Sequence, residues 1–244
     1  MTIAFIKNKY LADALLTALL FILAWPVHGF AGILFVAFVP LLRLEKEYSV
    51  SENYKAVKLW GYAYLSFLLW NLGTTWWVWN SSIGGAVLAF TLNTLLMSIA
   101  FMMFHFTKRK IGDKWGYVAF VVYWMAFEYL HHNWDGNYPW LTLGNGFAAY
   151  IKWIQWYEFT GTPGGSLWVL VANVFVFKLI VNSEKLKAEG LSSVFSPQSP
   201  VFRPLSLILS WVLIPIVISL GMYYTYIETQ NPVGIVVTQP NIDP

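Results

Sequence analysis

One acidic residue stands inside an apolar stretch near the middle of the chain. Glu128 lies in YWMAFEYLHH, close to the end of a run of hydrophobic residues. A carboxylate in a membrane-spanning segment is costly and usually belongs to a functional site that offers it a partner or a water-filled cavity. The sequence equally allows a structural role, in which Glu128 caps or pairs near the membrane interface. Glu128 is therefore the first candidate site residue.

The segment that follows, residues 132–164, is long, aromatic and apolar where an exposed loop is normally polar. Its motif YPWLTLGNG carries five candidate lipid-binding residues: Tyr138, Pro139, Trp140, Gly144 and Asn145. The aromatic rings could line a slot for a lipid chain or anchor the loop among lipid headgroups. We predict that the segment lies at the interface or dips partly into the membrane, where irregular backbone is tolerated only against protein or a water-lined cavity.

A glycine-rich stretch, GTPGG at residues 161–165, interrupts the chain before the next apolar run, and Gly161 completes the candidate lipid-binding set.

The sequence gives little support for a disulfide, a metal site or a cysteine nucleophile. With no cysteine in the 244 residues, disulfides, thiolate metal sites and a cysteine nucleophile are excluded within this chain. His131 and His132 are adjacent, so on a helix they diverge by about 100° and cannot easily share a metal. His28 and His105 stand alone and are expected at the interface. We predict no metal, no cofactor and no catalytic residue from these patterns.

Composition indicates an integral membrane protein that is all-α and polytopic. The chain is 58% hydrophobic and only 11% charged, with 19% aromatic residues, and its net charge of +3 does not suggest nucleic acid. A spanning helix needs about 20 apolar residues. Seven spans are predicted: 10–25, 28–44, 56–78, 84–106, 115–131, 165–182 and 204–227.

The basic residues predict the orientation of these spans. Every lysine and arginine except Lys152 lies before the first span or toward the loops after the second, fourth and sixth. Cytoplasmic loops carry such an excess of positive charge. We therefore predict a cytoplasmic N-terminus and a C-terminus outside the cytoplasmic membrane.

The chain closes on VGIVVTQPNIDP, residues 233–244, which is typical of the first β-strand of a soluble domain. The predicted organisation is a transmembrane helical domain at 1–230, followed at 231–244 by the start of another domain.

Four motifs occur in order along the chain: WNLGTTWWVWNSSIGG, FEYLHHNWDGNYPWLTLGN, YEFTGTPGGSLWVLVANVFVF and VGIVVTQPNI. Their order, their spacing and the predicted topology resemble those of bacterial apolipoprotein N-acyltransferase over residues 20–244. The sequence departs from the family at His131, which stands where the family has arginine, and at Thr238, which precedes the glutamine of the closing motif.

The resemblance implies an enzyme that transfers a fatty acid from a phospholipid to the amino group of the N-terminal diacylglyceryl-cysteine of lipoproteins. In the family this is a two-step exchange through a cysteine thioester, activated by a Glu-Lys-Cys set in a nitrilase-like αββα domain. The implied partners are the phospholipid donor, the diacylglyceryl-modified apolipoprotein and membrane lipid. The implied location is the bacterial inner membrane, with the nitrilase-like domain in the periplasm.

None of the family's catalytic positions carries over to these residues. If the 244 residues are the whole polypeptide, we expect it to be inactive alone, and a truncation, a fragment or a split gene would account for this. The residues that carry over by motif are Glu128, Pro139, Trp140, Gly144 and Gly161 in the membrane part, and Gln239 and Asn241 at the root of the nitrilase-like domain.

Two other classes of function stay open at this point. A transporter or channel would place ionisable residues opposite one another across several spans, and only Glu128 is clearly so placed. A non-catalytic membrane scaffold would use the 132–164 loop to bind lipid or a partner.

Overall fold

The computed structural model describes residues 2–26, 28–188, 202–228 and Gly234. Within these ranges the regular structure is entirely helical, which confirms the all-α prediction. The α-helices are α1 (Thr2–Ala24), α2 (Val39–Ser49), α3 (Ala56–Thr75), α4 (Ile83–His132), α5 (Tyr157–Ala188) and α6 (Phe202–Thr225). Short 3-10 helices occupy Ala31–Val36, Trp76–Asn80, Pro139–Leu141, Leu143–Phe147 and Ile151–Trp153. The predicted closing strand lies outside the described residues.

Three helices in the described part of the chain are long and apolar enough to cross a membrane: Ile83–His132, Tyr157–Leu186 and Pro204–Thr225. The first has 50 residues, so at 1.5 Å per residue it is about 75 Å long, more than twice the roughly 30 Å of a bilayer core. Its backbone leaves helical geometry at Gly112, where φ is 81°. In place of the predicted loop between residues 106 and 115, the helix continues on both sides and only Gly112 leaves helical geometry. Glycine can adopt this positive φ without steric penalty. The count of seven spans stays a prediction.

The second predicted span, 28–44, is not one continuous α-helix. It begins as the 3-10 helix Ala31–Val36 and becomes α-helical only at Val39. The cause is a side chain from α5: Asn173 Oδ1 accepts from Phe38 N at 2.8 Å, and Asn173 Nδ2 donates to Leu34 O at 2.7 Å. These two backbone groups would otherwise bond to each other, so the amide is inserted into the helical ladder. Pro40, two residues after Phe38, has no N–H and so provides no donor to the helical ladder.

Asn173→Leu is expected to lower the free energy of unfolding by about 1–3 kcal/mol, because it leaves the Phe38 N–H without its acceptor in the interior, while Leu34 O keeps only the bond from Ala37 N at 3.4 Å. Asn173 itself is fully buried. Thermal unfolding in detergent measures the effect. Asn182→Leu is the matched control on the same helix, since Asn182 is exposed, and its effect should stay within about 0.5 kcal/mol. Equal stability of both variants would contradict the inserted-amide account.

Aromatic side chains form much of the core and are not confined to the membrane interface. Phe38 contacts Phe21 and Trp124 edge to face at 4.8 and 4.6 Å between centroids, and Phe21 stacks on Trp70 at 4.1 Å. These rings come from α1, α3, α4 and the turn before α2. Close-packed aromatic contacts therefore hold the bundle together.

The last described helix docks through a reciprocal pair of hydrogen bonds. Trp168 Nε1 on α5 donates to Trp211 O on α6 at 2.8 Å, and Trp211 Nε1 donates to Trp168 O at 3.0 Å. Away from this contact, α6 presents exposed apolar side chains such as Leu207 and Val217. Such a surface suits a lipid environment.

A buried polar cluster joins α2 to α4 just before the Gly112 break. Glu45 Oε1 lies 2.7 Å from His105 Nδ1, and Glu45 Oε2 accepts from Lys108 Nζ at 2.5 Å. His105 Nε2 lies 2.8 Å from the Tyr54 hydroxyl. The prediction that His105 stands alone at the interface is therefore wrong: its ring is fully buried and bonded at both nitrogens. Lys108, predicted to lie in the loop after the fourth span, is only 7% exposed.

Candidate functional site

The loop between α4 and α5 folds back onto the ends of the helices. Its central residues Leu141, Leu143 and Phe147 are buried. A side chain at Gly146 would meet Leu34 Cδ1 at 2.3 Å, so the loop lies directly on the 3-10 helix before α2. The irregular backbone is thus supported by protein on its inner side, as irregular backbone at membrane depth has to be.

The Glu128 side chain on α4 binds the backbone of this loop. Its Oε1 accepts from Leu143 N at 2.9 Å and from Trp124 Nε1 at 3.1 Å, and the residue is 4% exposed. Leu143 begins the 3-10 helix Leu143–Phe147, whose first N–H groups have no partner within the helix. The Glu128 side chain therefore acts as an N-terminal cap supplied from another helix, because its Oε1 accepts an N–H that the 3-10 helix leaves unpaired.

Gly144 and the start of α5 fix the loop from the other side. Gly144 N donates to Ser166 Oγ at 3.0 Å, and Gly144 O accepts from the Tyr157 hydroxyl at 3.1 Å. A Cβ at Gly144 would lie 2.1 Å from Thr162 O, so only glycine allows this approach. Gly161 lies in a break of α5, with φ 63°, and sets the entry of the chain into the helix.

The exposed part of the loop carries the aromatic and amide side chains. Trp140 is 53% exposed and meets Trp77 edge to face at 5.2 Å. Asn145 Nδ2 donates to Pro139 O at 3.0 Å and closes the turn between them. Tyr138 is half-buried, and desolvation raises the pKa of its phenol. Its backbone N–H donates to His131 Nδ1 at 3.4 Å.

A groove of about 880 Å³, here called the loop groove, opens between this loop and the end of α1. Its lining residues are Trp25, Pro26, Asn137, Pro139, Trp140, Asn145, Ala148 and Ala149. Ligand sites usually have about 300–1,000 Å³ and mostly apolar walls. The arrangement can hold an apolar chain with a few polar groups at the mouth.

The described site residues that the sequence predicts fall into three groups around this groove. Pro139, Trp140 and Asn145 line it, whereas Glu128 and Gly144 lie beneath it and hold the loop in place. Tyr138 and Gly161 contact neighbouring turns without lining the groove. Gln239 and Asn241 lie outside the described residues. In the described ranges no three His, Cys, Asp or Glu side chains come together as a metal site would need.

Trp25 is a lining residue that sequence reasoning missed. Its ring is 9% exposed and packs against Trp70 at 5.5 Å. No pattern in the neighbouring residues marks it, because the opposite wall of the groove comes from residues 137–149, more than 100 positions away.

Known proteins similar to this chain point to one family. Residues 17–175 match the model of the apolipoprotein N-acyltransferase N-terminal domain. A protein from Chlorobaculum tepidum, named apolipoprotein N-acyltransferase, is 27% identical over 224 residues, covering 90% of this chain and 38% of that protein. One of the same name from Geobacter metallireducens is 26% identical over 247 residues, covering 97% of this chain and 44% of that protein. The chain thus spans about two fifths of the length of these relatives. No solved structure matches.

Proposed function

Because the chain belongs to the family of apolipoprotein N-acyltransferase N-terminal domains, we propose that it forms the membrane part of such an enzyme. In this role it takes up a phospholipid and presents one of its acyl chains for transfer to the N-terminal diacylglyceryl-cysteine of a lipoprotein. The observation that carries the proposal is the loop groove, whose wall contains Pro139, Trp140 and Asn145 of the motif through which the chain resembles the family.

The chemistry of the groove supports a lipid ligand. Among the residues that the structure describes, its walls carry no Asp, Glu, Lys or Arg side chain, so these walls offer an ionised group no partner of opposite charge. The tryptophans Trp76, Trp77, Trp79 and Trp140 are all substantially exposed around the loop end of the bundle. Exposed tryptophans concentrate at membrane interfaces, where lipid headgroups meet acyl chains. This end of the bundle therefore suits uptake of a lipid from the adjoining leaflet.

The reactive groups of the transfer belong, on this proposal, to a nitrilase-like domain that begins at residues 231–244. The chain has no cysteine, so a thioester intermediate needs a nucleophile from beyond these residues. The proposed setting is the bacterial inner membrane, with seven spans, a cytoplasmic N-terminus and the loop groove facing the periplasm. The described residues would bind and orient the donor, and Gln239 and Asn241 would root the catalytic domain.

Trp140→Ala is expected to lower acyl transfer about tenfold without lowering membrane insertion, because truncating this ring removes about half of the apolar rim formed with Trp77. Transfer is measured as labelled fatty acid delivered from a phospholipid to a diacylglyceryl-peptide, on a polypeptide in which this chain continues into a nitrilase-like domain. Trp79→Ala is the matched control, since Trp79 is 49% exposed but does not line the groove. Unaltered transfer by Trp140→Ala would remove the loop groove from the proposal.

The buried cluster of Glu45, His105 and Lys108 is the feature that would best support a transporter, because it places ionisable groups on facing helices. Both Glu45 oxygens and both His105 nitrogens are already bonded within the cluster or to Tyr54. A transport pathway would leave such groups facing a water-filled cavity. The cluster is therefore better explained as a structural tie between α2 and α4.

A further inference from the structure

A second groove adjoins the loop groove and has no part in the proposed function so far. It has a volume of about 440 Å³ and opens between the outer ends of α1 and α3; we call it the α1–α3 groove. Its lining residues are Ile22, Leu23, Trp25, Pro26, His28, Gly29, Gly73, Thr74, Trp76 and Trp77. Sequence reasoning singled out none of them as a binding residue.

The two grooves share one wall. Trp25 and Pro26 line both of them. The wall is firmly held, because Trp25 is 9% exposed and its ring packs edge to face on Trp70. At the rim, Trp77 of the α1–α3 groove meets Trp140 of the loop groove at 5.2 Å. The grooves are therefore two lobes around a fixed partition.

Both lobes suit uncharged chains. Within the described part of the chain, neither is lined by Asp, Glu, Lys or Arg, and apart from tryptophan the polar side chains are His28, Thr74, Asn137 and Asn145. Each volume falls within the range of about 300–1,000 Å³ that ligand sites have. A lipid with one chain would leave one lobe without an apolar occupant, whereas a lipid with two chains fills both.

Positive charge adjoins the lobes on one side. A depression of about 350 Å³ shares Ala149 with the loop groove and is lined by Lys152, Trp153 and Tyr223 among others. Lys152 Nζ donates to the Tyr224 hydroxyl at 3.3 Å and lies 5.0 Å from the centre of the Tyr223 ring. It is the single cation among the predicted outer loops. A phosphate beside the loop groove would meet this ammonium group.

We propose that the two grooves form one site for a diacyl phospholipid, with one acyl chain on each side of Trp25 and Pro26 and the phosphate next to Lys152. This inference rests on the proposed function, since it concerns the donor lipid of that function. It adds that the site recognises both chains of the lipid and separates the chain to be transferred from the chain that is retained. Trp25 and Pro26 would be specificity-determining residues.

Photolabelling of the 244-residue chain in lipid nanodiscs tests the site without any variant. The probes are two phosphatidylethanolamines that carry a diazirine at the end of either the first or the second acyl chain, and labelled peptides are mapped by mass spectrometry. Together the probes should label residues of the α1–α3 groove, in 22–29 or 73–77, and of the loop groove, in 137–149. Labelling of one groove alone by both probes would overturn the two-chain site.

Competition adds a second measurement. Unlabelled diacyl phosphatidylethanolamine should displace the probe at a mole fraction about tenfold lower than its single-chain lyso form, because the lyso form leaves one lobe without the packing contacts that a second chain makes with its walls. Leu23→Trp fills the α1–α3 groove and should abolish the difference. Leu19→Trp is the matched control, since Leu19 and Leu23 are both 49% exposed on the same helix but only Leu23 lines a groove. Equal displacement by the two lipids in the unmodified chain would refute the proposal.

The contact between Lys152 and the phosphate is tested by comparing a phospholipid with a lipid that has no phosphate. Lys152→Gln should raise the amount of diacyl phospholipid needed for displacement about fivefold, and leave displacement by diacylglycerol unchanged because that lipid has no phosphate. An equal effect on both lipids would remove Lys152 from the site.

None of these measurements depends on acyl transfer. Labelling of both grooves without any transfer in the continued polypeptide would overturn the proposed function alone, and Trp140-dependent transfer with labelling of one groove would overturn this inference alone.

Discussion

In a polypeptide in which this chain continues into a nitrilase-like domain, replacing Glu128 with alanine is expected to lower the proposed acyl transfer about 100-fold, while Glu128→Gln stays within about threefold of the unmodified polypeptide. The alanine variant leaves Leu143 N and Trp124 Nε1 without their acceptor in the protein interior. The loop then loses the contact that holds its 3-10 helix, and Trp140 and Asn145 move with it. Glutamine retains an oxygen that can accept both hydrogen bonds.

The pair of variants distinguishes positioning from chemistry. Transfer of labelled fatty acid is measured beside limited proteolysis of residues 133–156, which reports the loop position. Glu128→Ala should be cut faster than the unmodified protein, and Glu128→Gln should not. If Glu128→Gln loses transfer as completely as Glu128→Ala while its loop resists cleavage, the carboxylate takes part in the reaction and the capping account is wrong.

Replacing Glu45 with leucine is expected to lower the free energy of unfolding by about 3–5 kcal/mol, because it leaves a buried cation without its partner. Lys108 is 7% exposed, and its other acidic neighbour, Asp113, lies 3.9 Å away and is mostly exposed. His105 also loses the acceptor at Nδ1. Unfolding is followed in detergent by thermal or denaturant titration.

A double variant shows whether the cost comes from the unpaired charge. Glu45→Leu combined with Lys108→Met removes both charges and should recover at least about half of the lost stability, since an apolar pair of similar volume often replaces a buried ion pair without loss. Glu52→Leu, at an exposed position between α2 and α3, serves as control and should change stability by no more than about 0.5 kcal/mol. A double variant less stable than Glu45→Leu would show that the contacts of the Lys108 stem outweigh its charge.

The positions at which the chain changes direction were largely readable from the sequence. Pro26 ends the first predicted span, and α1 ends at Ala24. The apolar runs on either side of Lys108–Lys114 are separate predicted spans, and Gly112 separates them in α4. The GTPGG stretch predicts a break, and α5 is broken at Gly161. Proline and glycine act through their own backbone geometry, so their effect needs no knowledge of distant residues.

Hydropathy and motif order likewise determined the class of the protein, since membrane insertion depends on the summed apolarity of contiguous residues. The all-α membrane character and the family both followed from local patterns. The roles of polar residues did not. Glu128 could be singled out as unusual, but whether it would cap, pair or react depended on what lay above it, and Leu143 is 15 residues away.

Only the tertiary structure decided which distant groups meet. Glu45 and His105 are 60 residues apart, and Asn173 and Leu34 are 139 residues apart. The shared wall at Trp25 and the two grooves exist only because a loop from residues 133–156 lies across the end of α1. A buried polar group must find a partner wherever the fold brings one, and that partner leaves no trace in the residues next to it. The sequence therefore determined the class, the breaks and the family, while packing of helices remote in the chain decided the site.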